Sequence, residues 1–161
     1  MIQEHELIEQ NKLLSTLYRI NQQFVDDNVY IKRVTKGETI YEIGSNVPYI
    51  VFPIDTVISL RIFNPDDSVS EPLITGKNGA VGLQALLSDK NSRFNANVVI
   101  SGRAFFINLS ACIEIFKYDE DVKTLFLSYI QNDFFIIASR SACLSRNSAA
   151  YRISCWLRTL S

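Results

Sequence analysis

The residues able to do chemistry are few. The chain has one histidine, His5, three cysteines, Cys112, Cys143 and Cys155, and a glycine-bearing run, GKNGAVGLQALL, at 76–87. A Ser-His-Asp triad, a Cys-His pair, a histidine-ligated zinc or an internally ligated haem each requires a histidine held in ordered structure. His5 stands in the polar N-terminal stretch instead. The cysteines form no C-x-x-C pair and are too few for a four-thiolate cluster. Their odd number and wide spacing fit small core residues in a reducing cytoplasm. Acids are plentiful, but no motif singles out a pair for acid–base work, so they read as surface charge. No enzymatic activity is expected, and no metal, haem or iron–sulfur cofactor. The glycine run predicts a tight turn entering a helix of about two turns. A helix N-terminus offers free amide donors and partial positive charge to a phosphate or carboxylate. The run lacks a Lys-Ser/Thr ending, however, and the bare sequence favours a connector whose glycines permit close packing.

What must position these residues is one soluble domain. At 161 residues, a single core can bury roughly 70% of the surface that the unfolded chain exposes. Apolar residues at 47% and charged residues at 20% exclude a disordered chain. Sixteen Lys and Arg against seventeen Asp and Glu leave a net charge of −1, which offers no field for a polyanion. The start MIQEHELIEQNKLL has no signal-peptide character. No apolar run approaches the roughly 18 residues of a membrane span, FFIIA at 134–138 being the densest late cluster. A cytoplasmic location without membrane contact is expected.

Three zones follow along the chain. Leu7, Leu14, Leu17, Ile20 and Phe24 recur near helical spacing over 6–24. From Val29 to Leu109 come short alternating runs, VYIKRV, TIYEI, YIVFPI, VISLRIF, PLIT, NANVVI and AFFINL, broken by turn residues. Asn64-Pro65-Asp66-Asp67-Ser68 closes a hairpin between two of them. Such frequent strands predict a β-sandwich, barrel or roll. The third zone is helical. SACIEIF reads as a short helix capped by Ser110. From Glu120 to about Leu144 no Gly or Pro occurs, and Leu127, Ile130, Phe134, Ile137, Ser141 and Leu144 recur in 3-4 steps, the seam of a coiled coil. Val122, Phe126, Tyr129 and Ile136 cover a neighbouring flank. The spacing therefore predicts a helix that packs on its own domain and on a second copy, with a broad stripe facing one core as the alternative. Asn147-Ser148 breaks the pattern before a last helix whose face is Ile153, Trp156, Leu157 and Leu160. Arg140, Arg146, Arg152 and Arg158 recur every six residues, steps of about 240° that place no common stripe against DNA. The final helix reaches Ser161 without a C-cap glycine, as though a further domain followed.

The order of these pieces resembles the sensory half of the Crp/Fnr family of bacterial transcription regulators. KGETIYEIGS at 36–45 is similar to the family's first hairpin, and YIVFPIDTVISL at 49–60 to the V-Y-F-P-x-x-G-x-V-S-L segment of one subgroup. GKNGAVGLQALL matches that subgroup's G-x-x-G-x-V-G-x-x-A-L-L, and SACLSRNSAAYRISCWL at 141–157 is similar to its junction with the DNA-binding domain. The resemblance implies an α+β fold: a cyclic-nucleotide-binding-type β-roll (a double-stranded β-helix or jelly roll) flanked by an N-terminal helix and a long C-terminal dimerisation helix. It implies residues 1–118 as helix plus roll, and 119–161 as dimerisation helix and start of a junction. A helix-turn-helix domain, the only expected contact with DNA, would lie downstream. The implied pocket comprises Gly82, Leu83, Gln84, Arg93, Asn95 and Ala96; the implied homodimer interface comprises Leu127, Ile130, Phe134, Ile137 and Leu144. Nucleotide-binding members carry Glu after the glycine and an Arg for the phosphate. Here Leu83 and Asn95 occupy those positions, with Arg93 the one candidate substitute. The cassette reads as degenerate, tight cyclic AMP binding is not expected, and any effector is a different small molecule. The alternative function is a stand-alone module of the same fold that regulates a partner protein.

Overall fold

A computed structural model describes residues 6–87, 91–146, 149–150 and 153–154. His5, Arg152, Cys155, Trp156, Leu157, Arg158 and Leu160 lie outside the described residues, as do the Asn147-Ser148 break and the side chains of Leu144 and Arg146.

The stretch predicted as one helix over 6–24 is divided by two asparagines. Helix α1 runs Lys12–Ile20 and α2 runs Gln22–Asn28. Asn11 caps α1 by accepting the Leu14 N–H, and Asn21 caps α2 by accepting that of Phe24. An asparagine side chain competes with the helical backbone for its hydrogen bonds, so it serves better at an end than in a middle. Leu13, Leu14 and Leu17 of α1 are fully buried.

Seven antiparallel strands follow: β1 Tyr30–Val34, β2 Thr39–Tyr41, β3 Tyr49–Pro53, β4 Val57–Phe63, β5 Val69–Thr75, β6 Asn95–Ile100 and β7 Gly102–Asn108. They form one sheet ordered β1-β7-β3 and another ordered β2-β6-β4-β5. In the second sheet Ile58 opposes Val98 and Thr75, while Leu60 opposes Ala96 and Leu73. These alternate residues are all buried and form its inner face. The Asn64–Ser68 cluster closes the β4–β5 hairpin as its turn residues predict, with Asp67 at a positive φ of 60°.

Helix α3 runs Leu109–Tyr118 and α4 runs Glu120–Arg146. Ser110 does not cap α3; Asn108 holds the N-cap position without a side-chain bond, and Ser110 lies inside the first turn. The Leu109 N–H donates to the Pro48 carbonyl, so a long-range contact sets the start two residues early. At the next boundary Asp119 Oδ1 accepts the N–H groups of Asp121 and Val122 and caps α4. Glu120 and Asp121 add negative charge where the helix dipole favours it.

Candidate ligand pocket and helix faces

The glycine run is pinned against β3. Val81 exchanges both backbone hydrogen bonds with Val51, at 2.8 and 2.9 Å. Gly82 then takes a φ of +103°, and a Cβ there would lie 2.8 Å from the Tyr49 carbonyl oxygen. Only glycine meets both demands. The helix that follows is one turn of 3-10 helix, Leu83–Leu86, rather than two turns of α-helix. Its sequence is apolar enough for the core to take it: Leu83 and Ala85 are each 1% exposed.

The six pocket candidates do not converge. Gly82, Leu83 and Ala96 belong to the packed core. Gln84 donates from Nε2 to the Tyr41 hydroxyl at 3.2 Å, and burial pushes the Tyr41 phenol well above its usual range. Asn95 shares its strand parity with Asn97, opposite to the buried Ala96 and Val98. It therefore lies on the outer side of the roll, where Oδ1 accepts the Ile43 N–H. Arg93, two residues earlier, is exposed. Among the described residues the buried polar side chains are Asn11, Ser15, Thr56, Ser59, Thr75 and Ser92, with no lysine or arginine. An open depression of about 310 Å³ lies over Thr39, Ile40, Tyr41, Glu42, Ser45, Asn46 and Pro48, and its one charged residue is an acid.

The Tyr41–Gln84 pair and the role of Asn11 were not legible in the sequence. Asn11 is fully buried and donates from Nδ2 to the carbonyls of Pro53 and Gly79, at 2.8 and 2.9 Å. It ties α1 to the end of β3 and to the glycine run at once. Partners this distant along the chain leave no local signal.

Helix α4 uses two faces, divided differently from the predicted seam. Val122 and Phe126 are fully buried, and Tyr129, Ile130, Ile136 and Ile137 pack on the core. Ile130 and Ile137, expected at an intermolecular seam, thus serve this domain. Leu127, Phe134 and Phe135 remain exposed, at 39, 72 and 68%. Arg140 turns inward and donates from Nη1 to the Pro72 carbonyl of β5. Cys112 is buried, and burial raises its thiol far above the usual range, so it is an inert core residue; Cys143 is half-buried. Among the described residues no cluster of His, Cys, Asp and Glu could hold a metal, and no helix is long and apolar enough to cross a membrane.

Neither a family profile nor a curated protein sequence matches the chain. Solved structures do. One described as a transcriptional regulator of the Crp/Fnr family from Eubacterium rectale superposes with a TM-score of 0.78 at 12% identity, over 94% of this chain and 71% of that one. FixK2 from Bradyrhizobium japonicum gives 0.74 at 15% identity over 81% of this chain; the match spans 65% of FixK2, less than two thirds of its length. The sensor domain of the transcriptional regulator DNR from Pseudomonas aeruginosa gives 0.65 at 12% identity, over 91% of this chain and 95% of that domain. The fold is of the cyclic-nucleotide-binding type, the one these Crp/Fnr structures share, as the sequence motifs implied.

Proposed function

We propose that the chain is the sensory and dimerising part of a Crp/Fnr-type transcription regulator whose phosphate cassette has degenerated. The observation that carries this reading is the near-complete mutual coverage with the DNR sensor domain. Three features of the chain itself support it. Among the described residues no lysine or arginine is buried in the interior for a phosphate, Leu83 is committed to the core, and Asn95 is engaged outside the roll. An effector of another kind, cytoplasmic location, absence of catalysis and DNA contact only through a separate helix-turn-helix domain belong to the same reading.

The homodimer forms through the outer face of α4. That face runs Thr124, Leu127, Gln131, Phe134, Ala138 and Ser141, in 3-4 steps and without a charged residue. The interface seam is therefore rotated from the one predicted: Leu127 and Phe134 remain in it, while Ile130 and Ile137 lie at its inner border. A two-fold axis would set each residue near its own copy. Sedimentation of residues 1–161 at tens of micromolar is the test. A dimer is expected, and a monomer would overturn the reading.

A further inference from the structure

The outer face of α4 is uncharged from Thr124 to Ala142, so the charges of that stretch, Asp133 and Arg140, lie on the side turned to the roll. Arg140 has its place, bonded to the Pro72 carbonyl. Asp133 does not. It sits one turn beyond Tyr129 and Ile130 and one turn before Ile136 and Ile137, four residues packed on the core. The helical period brings its carboxyl into the same seam. It is half-buried there, and it makes no hydrogen bond or ion pair among the described residues.

The titratable groups around it do not neutralise it. Of the elements packed against α4, β5 carries Glu71, which is tied to Arg61, and the turn Leu83–Leu86 carries none. Helix α3 carries Cys112, Glu114, Lys117 and Tyr118, and α1 carries Lys12, Tyr18 and Arg19. On α4 itself stand Glu120, Asp121, Lys123, Tyr129, Arg140, Cys143 and Arg146. Burial alone, without a contribution from any of these, pushes the Asp133 carboxyl up to about 6.

We propose that Asp133 is a proton-controlled latch between α4 and the roll. Protonated, it lets the helix lie in its seat; ionised, it loosens that seat, so the position of α4 is coupled to pH. The inference goes beyond the regulator reading and requires neither a dimer nor a ligand. Its sign follows from linkage. In the unfolded or undocked chain an aspartate titrates near about 3.9. The docked state holds the proton more tightly, so docking is fully favoured below that value and loses its advantage as pH rises to about 6.

The test is amide hydrogen exchange over 129–137 in the full chain, beside Asp133→Asn, which keeps the size and cannot titrate. Relative to the variant, the opening constant of the unmodified chain should rise roughly 3- to 10-fold between pH 5 and pH 7.5. Two pK units correspond to about a hundredfold over the whole span from below about 3.9 to above about 6, roughly a tenfold share of which falls below pH 5, and partial exposure reduces it. Carbon NMR of the Asp133 carboxyl in the unmodified chain should give a midpoint near 6. Parallel pH profiles for the two chains, or a carboxyl midpoint near 4, would overturn the latch.

Discussion

Asn11 concentrates more structure than any charged residue. One carboxamide caps α1 with its oxygen and holds two distant carbonyls with its nitrogen, in a fully buried position. Asn11→Ala removes the cap and strands both acceptors, and should cost about 2–4 kcal/mol. Asn11→Asp keeps the capping oxygen but turns it against two carbonyls, and should be no better. Urea unfolding midpoints at unchanged slope would read both effects. The interior of the roll is equally specific in what it refuses. A nucleotide phosphate removed from water needs a charged partner, and the described core contains no lysine or arginine. Leu83 presents no acceptor to a ribose hydroxyl. Calorimetric titration with cyclic AMP and cyclic GMP should therefore give dissociation constants above about 10 μM, weaker than roughly −7 kcal/mol. Tighter binding would contradict this. Restoring a carboxylate by Leu83→Glu should cost stability rather than recover affinity, because that side chain is 1% exposed.

At the scale of elements, α4 is the informative one. Its apolar positions at 122, 126, 129, 130, 136 and 137 seat it on its own domain, and the exposed residues face elsewhere. An uncharged face bearing Phe134 and Phe135 is costly to leave in water. Phe134→Asp should convert the dimer to monomers by sedimentation with little loss of thermal stability, since the ring is 72% exposed. Ile130→Asp should lower the melting temperature as well, because Ile130 packs on the core. If both variants remain dimeric, the interface lies on another face. The short elements show the opposite dependence. The single turn Leu83–Leu86 is shaped by the Val81–Val51 pairing before it and by burial of Leu83 and Ala85. Its own sequence, compatible with two turns of α-helix, does not decide its length.

For the molecule as a whole, charge limits what the chain does alone. A net charge of −1 provides no attraction for DNA, and Arg140, the late arginine whose side chain is described, points into the domain. Residues 1–161 should bind DNA weakly and without sequence preference, with affinity falling steeply as salt rises, as phosphate contacts alone do. A gel shift that is sequence-selective and resists salt would contradict this.

The sequence by itself determined the order of elements, the hairpin turn at Asn64–Ser68, the glycine turn ahead of Leu83 and the length of α4. Each of these is local: strand alternation, helical periodicity and glycine's backbone freedom act between near neighbours. The motifs carried the fold in the same way, since they combine such local patterns in a fixed order. Tertiary structure alone decided that Ser110 caps nothing, which side of α4 meets the roll, and that Asn95 bonds outside it. Helix faces illustrate the reason. Residues 130 and 137 stand about 20° apart around the axis, and 127 and 134 share the adjacent sector, so periodicity allots them to one stripe. Which part of that stripe is covered depends on how α4 rests against β5, α1 and α3, and that is fixed by packing among residues far apart in the chain.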